Sequence, residues 1–118
     1  PWGVSTQQTS TRFDGIFLDL GRALAIESRY PVGNSTKLLY PADGTFEDYA
    51  FWRHGIWSLL AELGHSHSPS SAAVKEMIRL NVPGLRRMFE QAPTRRAEQH
   101  SFEGTCDPSV RVLDRHDE

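Results

Sequence analysis

Cysteine is almost absent from this chain of 118 residues, with Cys106 as the single example. One cysteine excludes a disulfide within the chain and says little about the redox compartment. Long apolar runs are also missing, so no segment approaches the length of a membrane span. Neither sign of charge is in excess, because the formal net charge is −2 and the pI is near 6.2. The composition therefore gives no electrostatic reason to expect nucleic acid or an anionic membrane as a partner.

The composition is otherwise that of an ordinary globular protein. Hydrophobic residues make up 38% of the chain and charged residues 24%, and the length suits one modest domain. The chain opens at Pro1 with neither an initiator methionine nor a signal sequence. We therefore expect a processed product or one piece of a longer protein.

Two helices are expected in the first half of the chain. Apolar residues at helical spacing predict the first, which is capped by Thr11 and ends near Arg29. The second runs from residue 46 to about 54, with Thr45 as its N-cap and Gly55 just after its end. A third helix is expected in the second half.

That last helix begins with Ser68 as its cap and carries an apolar stripe as far as Phe89. The dipeptide Pro83-Gly84 should kink or split it. After Pro93 the periodicity is lost and charge rises, which predicts an irregular tail. The expected division is a folded segment over residues 1–92 and a charged tail over 93–118.

Two short apolar stretches favour strands, over residues 36–40 and 56–63. Glu62 stands out because a carboxylate near the end of a buried strand is costly to leave unpaired, and that edge of a sheet is where ligands usually bind. The alternative is a structural acid that caps a helix or pairs with an arginine. The order helix, strand, helix, strand, helix predicts an α/β fold with a sheet that is incomplete by itself.

The same stretch resembles the C-terminal third of the zinc carboxypeptidases of the pancreatic carboxypeptidase A type. The motifs that carry the resemblance are Tyr40, Gly44, Asp48-Tyr49, Gly55-Ile56 and Glu62-Leu63. Upstream, the turns Tyr30-Pro31-Val32-Gly33 and Pro1-Trp2-Gly3 also match, so the resemblance covers roughly residues 1–90. It implies a mixed sheet flanked by helices, of the phosphorylase/hydrolase-like zinc peptidase fold, whose remaining strands come from a missing N-terminal part.

The resemblance also implies roles for individual residues. Glu62 would be the general base and acid of peptide hydrolysis, and Tyr40 the tyrosine that closes over the substrate. Glu47 would lie at the floor of the side-chain pocket, where an acid favours a lysine- or arginine-like group; favourable charge in the first turn of a helix is the alternative, and it is the interpretation kept for Asp48. The other positions matched around that pocket are Leu39, Ala42, Thr45 and Leu60.

Zinc is the cofactor that the resemblance implies, with all its ligands upstream of Pro1. His65 and His67 have a spacing that can serve a metal, but no third ligand lies nearby in the sequence. We therefore expect no metal role for them. The chain alone is expected to bind no catalytic zinc and to hydrolyse nothing.

Three functions remain open at this point. The first is the C-terminal segment of a secreted or periplasmic zinc carboxypeptidase, whose partners would be a peptide substrate and the missing N-terminal part. The second is a peptidase of the same fold that acts on diaminopimelate-containing cell-wall peptides. The third is a non-catalytic fragment or pseudoenzyme that serves as a binding unit.

Overall fold

The computed structural model describes residues 11–40, 42, 44–64 and 66–100, and within these ranges the chain is helical or irregular, without a strand. The elements in order are α1 (Asp14–Leu24), α2 (Ser35–Leu38), α3 (Phe46–Asp48), a π-helix (Tyr49–Arg53) and α4 (Ser71–Gln91). Outside the described residues lie the Pro1-Trp2-Gly3 motif, His65, Cys106 and the tail beyond residue 100.

The predicted α/β sheet is wrong for the described residues. Residues 36–38 of the first expected strand belong to α2 instead. The Asn34 side chain caps this helix, because it accepts a hydrogen bond from the Lys37 N–H at 2.9 Å. The second expected strand, residues 56–63, is irregular. A single extended segment cannot satisfy its backbone groups in a ladder without a neighbour, so the loss of one strand removes the reason for the other.

The first helix begins close to its predicted start and ends before its predicted end. The Thr11 N–H and hydroxyl both donate to the Asp14 carboxylate, at 2.8 and 2.9 Å, which fixes the entry to α1. The helix stops at Leu24 and a turn follows, so the predicted continuation to Arg29 is wrong.

The cap predicted for the second helix is confirmed. The Thr45 hydroxyl accepts from the Asp48 N–H at 3.4 Å, and α3 leads directly into the π-helix, which ends at Arg53. Gly55 follows with φ +67°, in the left-handed region expected just after a helix.

The last helix begins two residues later than predicted, because its cap is Ser70 and not Ser68. The Ser70 hydroxyl accepts a hydrogen bond from the Ala73 N–H, and the helix runs through Pro83 without the predicted split. Gly84, the residue after this proline, is buried where α1 meets α4, and any Cβ there would overlap the carbonyl oxygen of Leu24. The close contact of the two helices therefore depends on glycine at this position.

The core is a cluster of aromatic rings between α1 and the π-helix. Phe17 and Phe51 are fully buried, with ring centroids 4.8 Å apart in an edge-to-face arrangement. Phe13 packs against Phe51 at 4.9 Å. Trp52 and Trp57 complete the cluster from its partly exposed sides. Aromatic side chains bury large apolar areas, so a few of them can hold a small helical domain together.

Residues 95–100 are irregular and dock on this core. The Ala97 N–H donates to the Gly55 carbonyl at 2.8 Å, and the Trp57 indole N–H donates to the Arg95 carbonyl at 3.0 Å. His100 Nδ1 lies 2.9 Å from the Trp52 carbonyl oxygen. A Cβ on Gly55 would lie 2.7 Å from the Ala97 carbonyl oxygen, so this docking depends on glycine.

Candidate ligand-binding cleft

A cleft of about 410 Å³ opens between the C-terminal end of α1 and the irregular segment that follows the π-helix. The end of α1, the loop after it and α2 form one side, and α3 with residues 59–64 forms the other. We name it the acidic cleft. Its apolar walls come from Leu24, Val32, Leu38, Leu39, Leu59 and Leu60.

The charged residues that line the acidic cleft are all carboxylates. They are Glu47, Asp48 and Glu62, and no lysine or arginine is among the described lining residues. A hydrogen bond helps to bring the two acidic segments together, because the Ser58 hydroxyl donates to the Glu47 carbonyl at 2.8 Å. Carboxylates on an apolar wall favour a ligand that carries a positive charge on an apolar stem.

Asp48 is the carboxylate of the cleft whose pKa departs from the ordinary aspartate value. Burial raises the pKa of Asp48, and the neighbouring Glu47 adds to the rise. The Thr45 side chain lowers the pKa in part through a hydrogen bond. A cation bound in the acidic cleft would oppose the rise, because it favours the ionised form.

Three of the uncharged polar residues that line the acidic cleft have buried polar groups. Asn34 and Asn81 are buried, and the Asn81 side-chain amide donates to the Met77 carbonyl at 2.8 Å. The Ser28 hydroxyl oxygen is buried and has no hydrogen-bond partner within the described part of the chain. Buried hydroxyls normally have a partner, so Ser28 is a group that a ligand or water can satisfy.

Four of the residues predicted from the resemblance line this cleft together: Leu39, Glu47, Leu60 and Glu62. Glu62 is exposed on an irregular segment, so its predicted place at the end of a strand is wrong. Tyr40 is 65% exposed beyond the end of α2 and is not among the described lining residues. Ala42 and Thr45 are also not among them, and the observed role of Thr45 is to cap α3.

The sequence did not predict two polar groups of the cleft that burial affects, the carboxyl group of Asp48 and the hydroxyl of Ser28. Asp48 was expected to be ordinary helix-end charge, because nothing in its neighbours along the chain reveals burial. Ser28 lies in the turn after α1, where the sequence predicted more helix. Asn81 had a detectable signal, since it falls four residues after Met77 and three before Gly84 on the buried side of α4.

The described residues were also compared with the requirements of a metal site and of a membrane span. No group of three or more His, Cys, Asp and Glu side chains among them is arranged to hold a metal ion. Within the same residues, no helix combines the length and the apolar character that crossing a membrane requires.

Comparisons of the chain with models of protein families, with curated proteins and with solved structures found no match.

Proposed function

We propose that the chain forms the substrate-binding part of a peptidase of the zinc carboxypeptidase type, with the acidic cleft as the site that holds a basic side chain. The observation that carries the proposal is the convergence of Glu47, Glu62, Leu39 and Leu60 on one cleft. These residues span positions 39 to 62 of the sequence. The resemblance to zinc carboxypeptidases assigns them to substrate-contacting and catalytic positions.

The chemistry of the cleft supports a lysine- or arginine-like group. Its apolar walls suit the methylene stem of such a side chain, and Glu47 offers a charge-assisted hydrogen bond to the cationic end. Glu62 is exposed at the rim, where its carboxylate is accessible to a bound peptide and can accept a proton. By the resemblance, the metal ligands of this proposal would lie upstream of Pro1.

Binding by the isolated chain tests the proposal directly. A fluorescent peptide that ends in lysine should bind more tightly than the same peptide ending in phenylalanine, by about tenfold or 1.4 kcal/mol. Glu47→Gln should remove that preference, while Glu90→Gln, outside the acidic cleft, should keep it. Equal binding of the two peptides, or a preference that survives Glu47→Gln, contradicts the proposal.

Hydrolysis tests the role of Glu62. In a parent polypeptide that contains the upstream residues, Glu62→Gln should lower kcat by at least about a hundredfold with little change in KM, as expected for loss of a general base. The isolated chain should release no C-terminal residue from hippuryl-lysine. Full activity of the Gln variant, or hydrolysis by the isolated chain, contradicts the assignment.

A non-catalytic peptide-binding unit is the second candidate, and the position of Glu62 favours it. Catalytic groups are usually held by rigid elements, whereas Glu62 lies on an irregular and exposed segment. Lysine-dependent binding together with unchanged hydrolysis in the Glu62→Gln parent would support this second function over the first.

A further inference from the structure

The last helix carries a second apolar face that does not reach the core. Its five residues are between 38% and 69% exposed, and they are Val74, Ile78, Val82, Leu85 and Phe89. At about 100° per residue they fall within about 80° of arc and extend about 22 Å along the helix. We name this surface the α4 stripe. Contiguous exposed apolar surface of this kind is typical of an interaction site.

A basic edge accompanies the α4 stripe. Lys75, Arg79 and Arg86 follow one another along the same border of the stripe, about 20° to 60° beyond it on the helical projection. Arg79 is paired with Glu76 at 2.6 Å, and Lys75 and Arg86 are exposed. The opposite border is different, since Asn81 and Gly84 there are buried beneath α1. The stripe therefore presents positive charge on one side only.

A cavity of about 340 Å³ lies beside the stripe, between the turn after α1 and the middle of α4. Its apolar lining residues are Ile26, Val82 and Pro83, and its charged lining residues are two glutamates and two arginines, Glu27, Glu90, Arg86 and Arg87. A concave site of this size accepts a protruding side chain, which a partner helix supplies and a flat lipid surface does not.

The spacing of the stripe residues along α4 favours a helix as the partner. Ile78, Val82, Leu85 and Phe89 are separated by four, three and four residues, the alternation with which one helix packs along another. A second copy of this chain in antiparallel orientation would bring the basic edges of Arg79 and Arg86 against each other, which is repulsive. An acidic edge complements them.

We propose that the α4 stripe is the docking surface for an amphipathic helix of a partner protein whose apolar seam is bordered by glutamate or aspartate. The apolar seam supplies the affinity, and the acidic border pairs with Lys75 and Arg86 to fix the orientation of the partner. This surface lies on residues other than those of the acidic cleft, so its function is independent of peptide binding there.

The probe for this proposal is a labelled synthetic helix of about three heptads, with leucine along its seam and glutamate on both borders. A matched probe carries lysine in place of each glutamate. The acidic probe should bind the chain about tenfold more tightly than the basic one at low salt, measured by fluorescence anisotropy.

Two variants locate the binding surface. Ile78→Ser should weaken the acidic probe about tenfold, and because Ile78 is exposed, its circular dichroism should match that of the wild type. Arg86→Glu should reverse the preference between the probes, whereas Arg53→Glu, the same charge change on the π-helix, should leave the preference unchanged.

The proposal is overturned by equal binding of both probes or by binding that Ile78→Ser does not weaken. It is also overturned if sedimentation shows that the wild type is a dimer and that the Ile78→Ser variant is a monomer. The stripe would then be an interface between copies of this chain. Stripe-dependent binding to vesicles of phosphatidylglycerol and phosphatidylcholine without a probe preference overturns it in favour of a lipid surface.

Discussion

The aromatic core and the acidic cleft share one segment of chain, residues 46–64, and they differ in their physical properties. The core contains Phe51 with no exposed surface, while the cleft contains Leu60, which is 60% exposed. In the core, the Phe51 ring meets three other rings edge to face at 4.8 to 4.9 Å. The cleft instead has apolar walls and three carboxylates, of which Glu62 is exposed and Glu47 and Asp48 are partly buried.

This difference separates folding from recognition within one segment. The buried rings determine where the π-helix lies, and the π-helix in turn positions Glu47 before it and Glu62 after it. Groups that are already buried contribute to the stability of the fold, and groups that stay exposed remain free to bind a ligand. Substitutions in the core should therefore change stability, and substitutions in the cleft should change binding.

Removal of a core ring should have the largest effect. Phe51→Ala should lower the free energy of unfolding by about 3–5 kcal/mol, because it deletes a fully buried side chain and leaves a cavity among the remaining rings. Phe46→Ala is the matched control, since Phe46 is 78% exposed and its loss should cost less than about 0.5 kcal/mol. Denaturant titration measures both, and similar costs for the two variants would show that the core is not where the structure places it.

Disruption of the contact between α1 and α4 should have the second-largest effect on stability. Gly84→Ala should destabilise the protein by about 1–3 kcal/mol, because the new methyl group overlaps the carbonyl oxygen of Leu24 and forces the helices apart. Gly15→Ala makes the same change on an open face of α1 and should stabilise it by up to about 1 kcal/mol. Thermal unfolding reports the two opposite signs; a stabilised Gly84→Ala variant would contradict the close helix contact.

Removal of the α2 cap should lower stability by a smaller amount and should also weaken ligand binding in the acidic cleft. Asn34→Ala should cost about 1 kcal/mol and weaken binding of the lysine-ended peptide, because α2 carries Leu38 and Leu39 into the cleft wall. Ser70→Ala removes the cap of α4 at a similar cost and should leave peptide binding unchanged. Calorimetric titration with the peptide separates the two, and an equal loss of binding would mean that α2 does not shape the cleft.

The smallest effect should be the pH dependence that Asp48 contributes. Its raised pKa means that the folded protein holds this proton to higher pH than the unfolded chain does. The stability contributed by protonated Asp48 is therefore complete below the ordinary aspartate range and is lost as pH rises through the raised folded-state value. Asp48→Asn should lack this decline, so its stability relative to wild type should increase from acidic to neutral pH.

Denaturation at a series of pH values checks the Asp48 prediction. Phe46→Ala is a control without a titrating group, and its profile should run parallel to that of the wild type. A profile for Asp48→Asn that also runs parallel to the wild type would show that burial does not disturb this carboxyl group.

Local signals in the sequence predicted part of the fold correctly. The cap at Thr45 and the glycine that ends the following helix depend on contacts within three or four residues, and both are present. The strands at 36–40 and 56–63 were wrong, because a strand exists only with a neighbour to pair with and apolar alternation does not show whether that neighbour forms. Asn34 caps the short helix that takes the place of the first of these strands.

The sequence also predicted only part of the candidate site. The resemblance assigned roles to Glu47 and Glu62, and both line the cleft. The perturbed Asp48 and the buried Ser28 hydroxyl were not predicted, because burial depends on what packs against a residue from distant parts of the chain. Tyr40 matched its motif equally well, yet it is exposed outside the described lining of the cleft.

The sequence by itself determined the cap at Thr45 and the helical stretches that begin near residues 14, 46 and 71, since these features follow from neighbouring residues. Only the tertiary structure decided that α4 would pass unbroken through Pro83, that residues 56–63 would remain irregular and that three carboxylates would meet in one cleft. Each of these outcomes depends on contacts between residues far apart in the chain, and the free energy of such contacts is set by packing that no local pattern contains.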